Sequence, residues 1–303
     1  MTDVPKPERF VDAHVHLWDL QRLSYPWLTP PFDTIGVNGD VSPIARTYLL
    51  DDYLADAEGW NVTGLVHVDA GAEAKDALSE SDWLQDMADS RGMPDAIIAF
   101  AALDDPDVEA LLERHADHDN VRGIRHIANW HEDPAKTYTP RDVTRDPNWQ
   151  AGFGLLAKYG LSFDFQLYPG QMDRAAKLAA RHPDVPVIIN HAGMPDAAGE
   201  AAFDRWAAGM SALAEVPSVS AKISGFGILD RAWTIESIRA YVLTLIDLFG
   251  TDRIMFASDF PTDKLAGSFD RHLSAYSAIT ANFSADERDR LFAANAERTY
   301  RIA

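Results

Sequence analysis

A single (β/α)8 barrel, an α/β fold of the TIM type with long loops at its C-terminal mouth, is what this sequence predicts, on three observations. Eight short apolar runs recur along the 303 residues, each nearly continuous in apolar character, as parallel strands buried on both faces are. Amphipathic stretches of helical spacing lie between them. No low-complexity tract, Gly/Ser linker or shift in composition divides the chain, so residues 1–303 read as one domain.

The first run, residues 9–14, carries on into His14-Val15-His16. Side chains alternate along a strand, so the two histidines share a face. Alone, such a pair is most often two ordinarily hydrogen-bonded strand residues. A long connection, 17–52, follows with Trp18, Tyr25, Trp27 and Pro30-Pro31. The second run, 62–68, ends in His67 and Asp69, and a helix is expected over 72–90. The third, 96–101, ends blandly in Ala101-Ala102-Leu103-Asp104 before a helix over 107–116. The fourth, 123–127, carries Arg125 and His126 and opens a second long loop, 129–148, with Trp130, His131 and Tyr138. A helix over 149–158 leads to the fifth run, 162–167, with Asp164, Gln166 and then Tyr168. The sixth, 185–190, ends in Asn190-His191-Ala192-Gly193 between helices over 171–181 and 201–214. The seventh, 218–223, offers Lys222 and Ser224, and a helix spans 235–249. The eighth, 253–257, ends in Ser258-Asp259-Phe260-Pro261 before a helix over 267–280. Ser284 caps a last helix, with Glu287 completing a capping box. A doubly wound sheet is the alternative. It is weakened because no G-x-G-x-x-G follows any strand, and Ser224-Gly225-Phe226-Gly227 lacks the third glycine.

Composition narrows the function. The formal net charge of −20 repels nucleic-acid backbone and anionic lipid, so neither is an expected partner. No apolar run approaches the length of a membrane span, and the N-terminus shows no signal-peptide core. The chain has no cysteine, which excludes disulfides, thiolate nucleophiles and zinc-thiolate sites. A cytoplasmic protein acting on a small-molecule substrate is expected. A homo-oligomer is compatible with the sequence.

In a barrel, polar residues at the C-terminal strand ends converge on one point. Here nearly every strand ends in a polar or titratable residue, while the strand bodies are apolar. His-x-His on the first strand, His191 on the sixth and Asp259 on the eighth together resemble the signature of the amidohydrolase superfamily. The stretch Val11-Asp12-Ala13-His14-Val15-His16-Leu17-Trp18-Asp19 with Tyr25-Pro26-Trp27-Leu28 is similar to its amidohydrolase 2 group of sugar-acid and aromatic-acid lactonases. So are Gly123-Ile124-Arg125, Val187-Ile188-Ile189-Asn190-His191-Ala192-Gly193, Phe256-Ala257-Ser258-Asp259-Phe260-Pro261 and Asn295-Ala296-Glu297-Arg298-Thr299-Tyr300. The resemblance spans the chain. It departs from the two-metal members, which carry a bridging Lys or Glu on the fourth strand and a His on the fifth. This chain has Arg125-His126 and Asp164-x-Gln166 there, which speaks against a binuclear centre. It also speaks mildly against decarboxylation, whose zinc enzymes use the fifth-strand His.

The resemblance implies hydrolysis of a small lactone. Asp259 is the expected general base, and His14, His16 and His191 complete the catalytic group. With Asp259 they bind one divalent ion, zinc or manganese, or else act as metal-free donors to the carbonyl oxygen. Arg125, Lys222, Gln166, His67 and Trp27 are candidates for substrate binding. Arg125 and His126 are neighbours on one strand, so only one of them faces the interior, and the sequence leaves open which. The competing readings are a metal-dependent decarboxylase of an aromatic or unsaturated acid, and a barrel that binds a ligand without catalysis.

Overall fold

The computed structural model describes residues 6–302. Met1–Pro5, part of the N-terminus read as leaderless, and Ala303 lie outside the described residues. Among those described, eight parallel strands pair in chain order. They are β1 (Phe10–Val15), β2 (Val62–Val68), β3 (Ala96–Phe100), β4 (Val121–Arg125), β5 (Ser162–Phe165), β6 (Val187–Ile189), β7 (Val219–Ile223) and β8 (Ile254–Phe256). Each falls on one of the eight expected runs. The sheet closes between β8 and β1. The His14 carbonyl accepts from the Asp259 N–H at 2.9 Å, and the His16 N–H donates to the Phe260 carbonyl at 2.8 Å. This is a (β/α)8 barrel.

Two apolar clusters follow from strand alternation. Ile97, Ile124, Phe163, Phe165, Val187, Ile189 and Phe256 face outward into the main core beneath the helices. Val11, Ala13, Val66, Val68, Ala96, Ile98, Ile188, Met255 and Ala257 fill the interior. Ala293, Ala296 and Tyr300 of the C-terminal helices join that interior cluster. Arg122, near the start of β4, donates from Nε to the Tyr300 carbonyl at 3.0 Å, so the chain's end plugs the barrel at the strand starts.

Helices cover the outside at Ala77–Arg91, Val108–Ala116, Pro147–Leu155, Met172–Arg181, Glu200–Ala214, Ile235–Phe249 and Phe269–Ile279. A short helix, Leu50–Asp56, ends the first long loop. Ser284 caps Ala285–Asp289 as expected. Its hydroxyl accepts from the Glu287 N–H, and Glu287 accepts from the Ser284 N–H at 2.8 Å. Among the described residues no helix is long and apolar enough to cross a membrane.

Strict alternation along β1 does not hold. Val11 and Asp12 pair with Gly64 and Leu65, but Val15 pairs with His67. Three steps on β1 therefore match two on β2, which is a bulge. Phe10 packs outward on Trp60, Phe269 and Phe292, and the outward Asp12 meets Tyr53 of the helix Leu50–Asp56. Past the bulge the phase has switched. His14 and His16 point inward, and Val15 points out into the main core.

Candidate active site

At the C-terminal mouth the first, sixth, seventh and eighth strands bring one polar group together. Asp259 is buried after β8, and its Oδ1 lies 3.3 Å from His16 Nε2 and 3.7 Å from His14 Nε2. His191 Nδ1 lies 3.9 Å from Oδ2. The His14 ring sits 4.9 Å from that of His16 and 4.5 Å from that of His191. Asp259 and His191 both hold left-handed backbone, with φ of 58° and 50°. Non-glycine residues seldom adopt this conformation, and it tends to mark functional positions.

Each imidazole is fixed differently. His16 Nδ1 donates to the Val68 carbonyl at 2.7 Å, because a carbonyl can only accept. His191 Nδ1 meets the Ser224 hydroxyl at 3.1 Å. Gly225, next in the chain at φ 72°, lets the loop pass over this ring. A Cβ there would lie 2.7 Å from the imidazole. Burial lowers the pKa of all three histidines, to about 3 for His16, and the charges of Arg125 and Lys222 add to this. They are neutral at ordinary pH. Burial pushes the Asp259 carboxyl well above the usual range, against the pull of Arg125.

A neutral His16 that donates from Nδ1 carries its lone pair on Nε2, and Nε2 faces a carboxylate oxygen. Two lone pairs in opposition call for a proton or a metal cation between them. Both nitrogens of His14 and both oxygens of Asp259 lack a hydrogen-bond partner among the described residues. Buried polar atoms are rarely left so. Ligand atoms of His14, His16 and Asp259 lie within 4.8 Å of one another. These three residues fit one divalent ion. His191, expected as a fourth ligand, is not among these three, and its Nδ1 meets the Ser224 hydroxyl.

Above the group is a cavity of about 210 Å³, lined by His16, Trp27, Arg125, Gln166, His191 and Asp259 together with Asn38, Tyr138, Ile228 and Thr262. Arg125 faces inward. It donates from Nε to Asp69 Oδ2 at 3.1 Å, from Nη1 to Gln166 Oε1 at 3.3 Å, and from Nη2 to the Asp69 carbonyl. His126 faces the helices, where its Nδ1 accepts from Trp149 Nε1 at 3.0 Å. Trp27 is pinned as a wall by its donation to the Ala70 carbonyl at 2.9 Å.

Two expected substrate contacts lie elsewhere. Lys222 is fully buried and pairs with Asp164 at 3.2 Å. Asp164 also accepts from the Tyr300 hydroxyl at 2.7 Å. Alternation on β7 does turn Lys222 inward, but two residues below the mouth, where it meets the plug. His67 is buried on the outer side of β2, and its Nδ1 accepts from the Leu17 N–H at 3.2 Å. Neither lines the cavity. Conversely, Asn38, Tyr138, Ile228 and Thr262 are lining residues that the strand-end reading missed. Tyr138 stands in the second long loop, 129–148, with Trp130 and His131. Its hydroxyl donates to Asn38 Oδ1 at 2.8 Å, and Arg231 holds the Asn38 carbonyl at 2.6 Å. Loops after β1, β4 and β7 thus meet as a roof.

Fold and site define a (β/α)8 barrel with a buried polar group at its C-terminal mouth, where the active sites of barrel enzymes lie. A family model described as amidohydrolase matches residues 11–302, and the chain belongs to that family. It is 45% identical over 293 residues to the uncharacterized protein y4mH of Sinorhizobium fredii, covering 96% of this chain and 98% of the relative. It is 27% identical to an L-fucono-1,5-lactonase of Burkholderia multivorans, with 96% of each chain covered. Among solved structures, an amidohydrolase from Burkholderia multivorans with bound zinc superposes with a TM-score of 0.80 at 26% identity, covering 97% of this chain and 99% of the other.

Proposed function

We propose that this protein hydrolyses a small, neutral, hydroxylated lactone, of the sugar-acid type. One observation carries this reading above the rest. Asp259 presents a carboxylate with no hydrogen-bond partner among the described residues, beside neutral imidazoles, at the base of the cavity. Such a group is free to move a proton. Asp259 takes a proton from water as the water oxygen bonds to the lactone carbonyl carbon. The ring C–O bond then breaks, and the same proton passes from Asp259 to the departing alkoxide, giving a hydroxy acid. His191 lies beside the carboxylate and steadies charge on the carbonyl oxygen. Gln166 and Arg125 hold substrate hydroxyls, and Trp27 and Tyr138 enclose the ring.

His14, His16 and Asp259 would hold one divalent ion, which when bound supplies Lewis-acid polarisation of the carbonyl. Zinc is favoured by the imidazole and carboxylate donors and by the zinc in the solved family member. The substrate class is supported by charge. Arg125 is the one cation among the described lining residues, and Asp69 already matches it. A neutral polyhydroxylated ring suits such a cavity better than a dicarboxylate. The name of the 27%-identical relative points the same way. The test is a panel of sugar lactones scored by acid release, with and without chelator. Turnover of at least one lactone is expected. Carbon dioxide release from aromatic acids, with no lactone turned over, would replace hydrolysis by decarboxylation.

A further inference from the structure

We infer that Asp12, on the outer face of β1 and away from the cavity, is a positioning residue that clamps the barrel seam and so sets the geometry of the His14–His16–Asp259 group. The inference rests on that group being the reacting site. The seam between β1 and β8 is built unlike the other strand junctions. Each of the seven other neighbouring pairs shares a ladder of at least three paired positions. Among the described residues β1 meets the β8 side through one isolated bridge, Val15 with Phe260. Two of the three candidate ion ligands, His14 and Asp259, flank this weak junction.

The carboxylate of Asp12 takes the place of the missing ladder. Its Oδ1 accepts from the Ser258 N–H at 2.9 Å and from the His14 N–H at 3.3 Å. One oxygen therefore ties the backbone of a ligand on β1 to the residue just before the ligand after β8. Its Oδ2 accepts from the Tyr53 hydroxyl at 3.0 Å, and both Asp12 and Tyr53 are fully buried. The bulge makes this possible. It leaves Asp12 outside while His14 turns in, so one carboxylate can reach backbone at both residues. Asp259 also needs such a hold. Left-handed backbone at an aspartate persists only when its surroundings over-determine it. The holds here are Asp12 on the preceding amide, the His14 carbonyl on the Asp259 N–H, and the Asp259 carbonyl on the Asp263 N–H at 2.9 Å. Of these three holds, only that from Asp12 is made by a side chain. Through Tyr53 in Leu50–Asp56, the clamp also connects the seam to the end of the long first loop, whose Trp27 and Asn38 line the cavity.

The test measures zinc affinity of chelator-stripped protein by titration calorimetry, alongside kcat and KM on the best lactone. Residues that orient ligands from behind typically change metal affinity about 10- to 100-fold, and that range is expected for Asp12→Ala. Asp12→Asn keeps an acceptor for both amides and stays within about threefold of wild type, while Tyr53→Phe weakens zinc about threefold or more. In each weakened variant kcat falls at unchanged KM, since no substrate contact is touched. Wild-type zinc affinity in a folded Asp12→Ala protein overturns the clamp. So does an Asn variant as weak as the Ala variant, which would make charge rather than geometry the agent. Should Asp12→Ala not fold, unchanged affinity in Tyr53→Phe overturns it. A wild-type protein that takes up no zinc fails the ion reading alone. The clamp is then decided by kcat, and equal kcat in wild type and Tyr53→Phe sinks it.

Discussion

Two polar groups lie stacked in the same barrel interior, and their difference separates structure from function. The lower one, Lys222–Asp164–Tyr300, closes on itself. Asp164 accepts from Lys222 and from the Tyr300 hydroxyl, and none of its atoms is left without a partner. The upper one, His14–His16–Asp259, is as deeply buried, but four of its side-chain atoms have no partner among the described residues. Burial acts on both groups alike. It lowers the Lys222 pKa and raises that of Asp164, just as it lowers the histidines and raises Asp259. Buried charge therefore does not mark the site. A cluster of unpartnered atoms does, four in one group where other residues leave single atoms unmatched, because an unpartnered buried atom is unfavourable unless something else satisfies it.

The largest effect that would sharpen this contrast is on the upper group. Asp259→Asn keeps size and polarity but cannot take a proton. A fall in kcat of at least 10³, about 4 kcal/mol of barrier, is expected with an unchanged melting temperature. Retained lactone turnover in that variant would remove the general base from the mechanism. The lower group should show the reverse. Lys222→Met leaves Asp164 buried without its ion partner, and breaking such a pair destabilises by about 3–5 kcal/mol. Calorimetry should show the melting point down by roughly 10 °C, with KM at 25 °C close to wild type. A Lys222→Met protein of normal stability and raised KM would return Lys222 to the substrate site.

Arg125 stands between the two cases, since it is paired with Asp69 and also lines the cavity. Arg125→Gln should raise KM about tenfold, worth about 1.4 kcal/mol, with a smaller change in kcat. Equal KM would make Arg125 purely structural. The smallest effect concerns Glu80, which is buried and accepts from the Tyr25 hydroxyl at 3.0 Å. Burial, with Asp69 nearby, pushes its carboxyl up to about 8, whereas an unfolded glutamate titrates near about 4.3. The fold therefore holds this proton more tightly than the unfolded chain. Its contribution to stability falls as pH rises through that window and is level above it. Glu80→Gln has no proton to lose. Between about pH 5 and 8 its melting temperature should drop less than that of wild type. Parallel curves would place the ionised carboxylate comfortably in the fold.

Much of this was legible from residues alone. The eight apolar runs became the eight strands, because continuous Val, Ile and Phe suit strands buried on both faces, as in a parallel sheet. The convergence of His14, His16, His191 and Asp259 followed from their strand-end positions once the barrel was assumed. Arg125 against His126 was open, and packing decided it. His126 faces Trp149 beneath the helices, while Arg125 finds Asp69 and Gln166 inside. Lys222 was misread because inward direction shows in alternation but depth along the barrel does not.

By itself the sequence determined the barrel, the mouth at which polar residues gather and the family motifs, because periodicity and composition are local properties of the chain. Only the tertiary structure decided which of those residues have partners. Asn38 and Tyr138 are 100 residues apart and meet over the cavity, and Tyr300 reaches Asp164 across 136. The β1 bulge that turns His14 inward while Asp12 stays outside is a register mismatch with β2. A mismatch between two strands is written in neither strand alone.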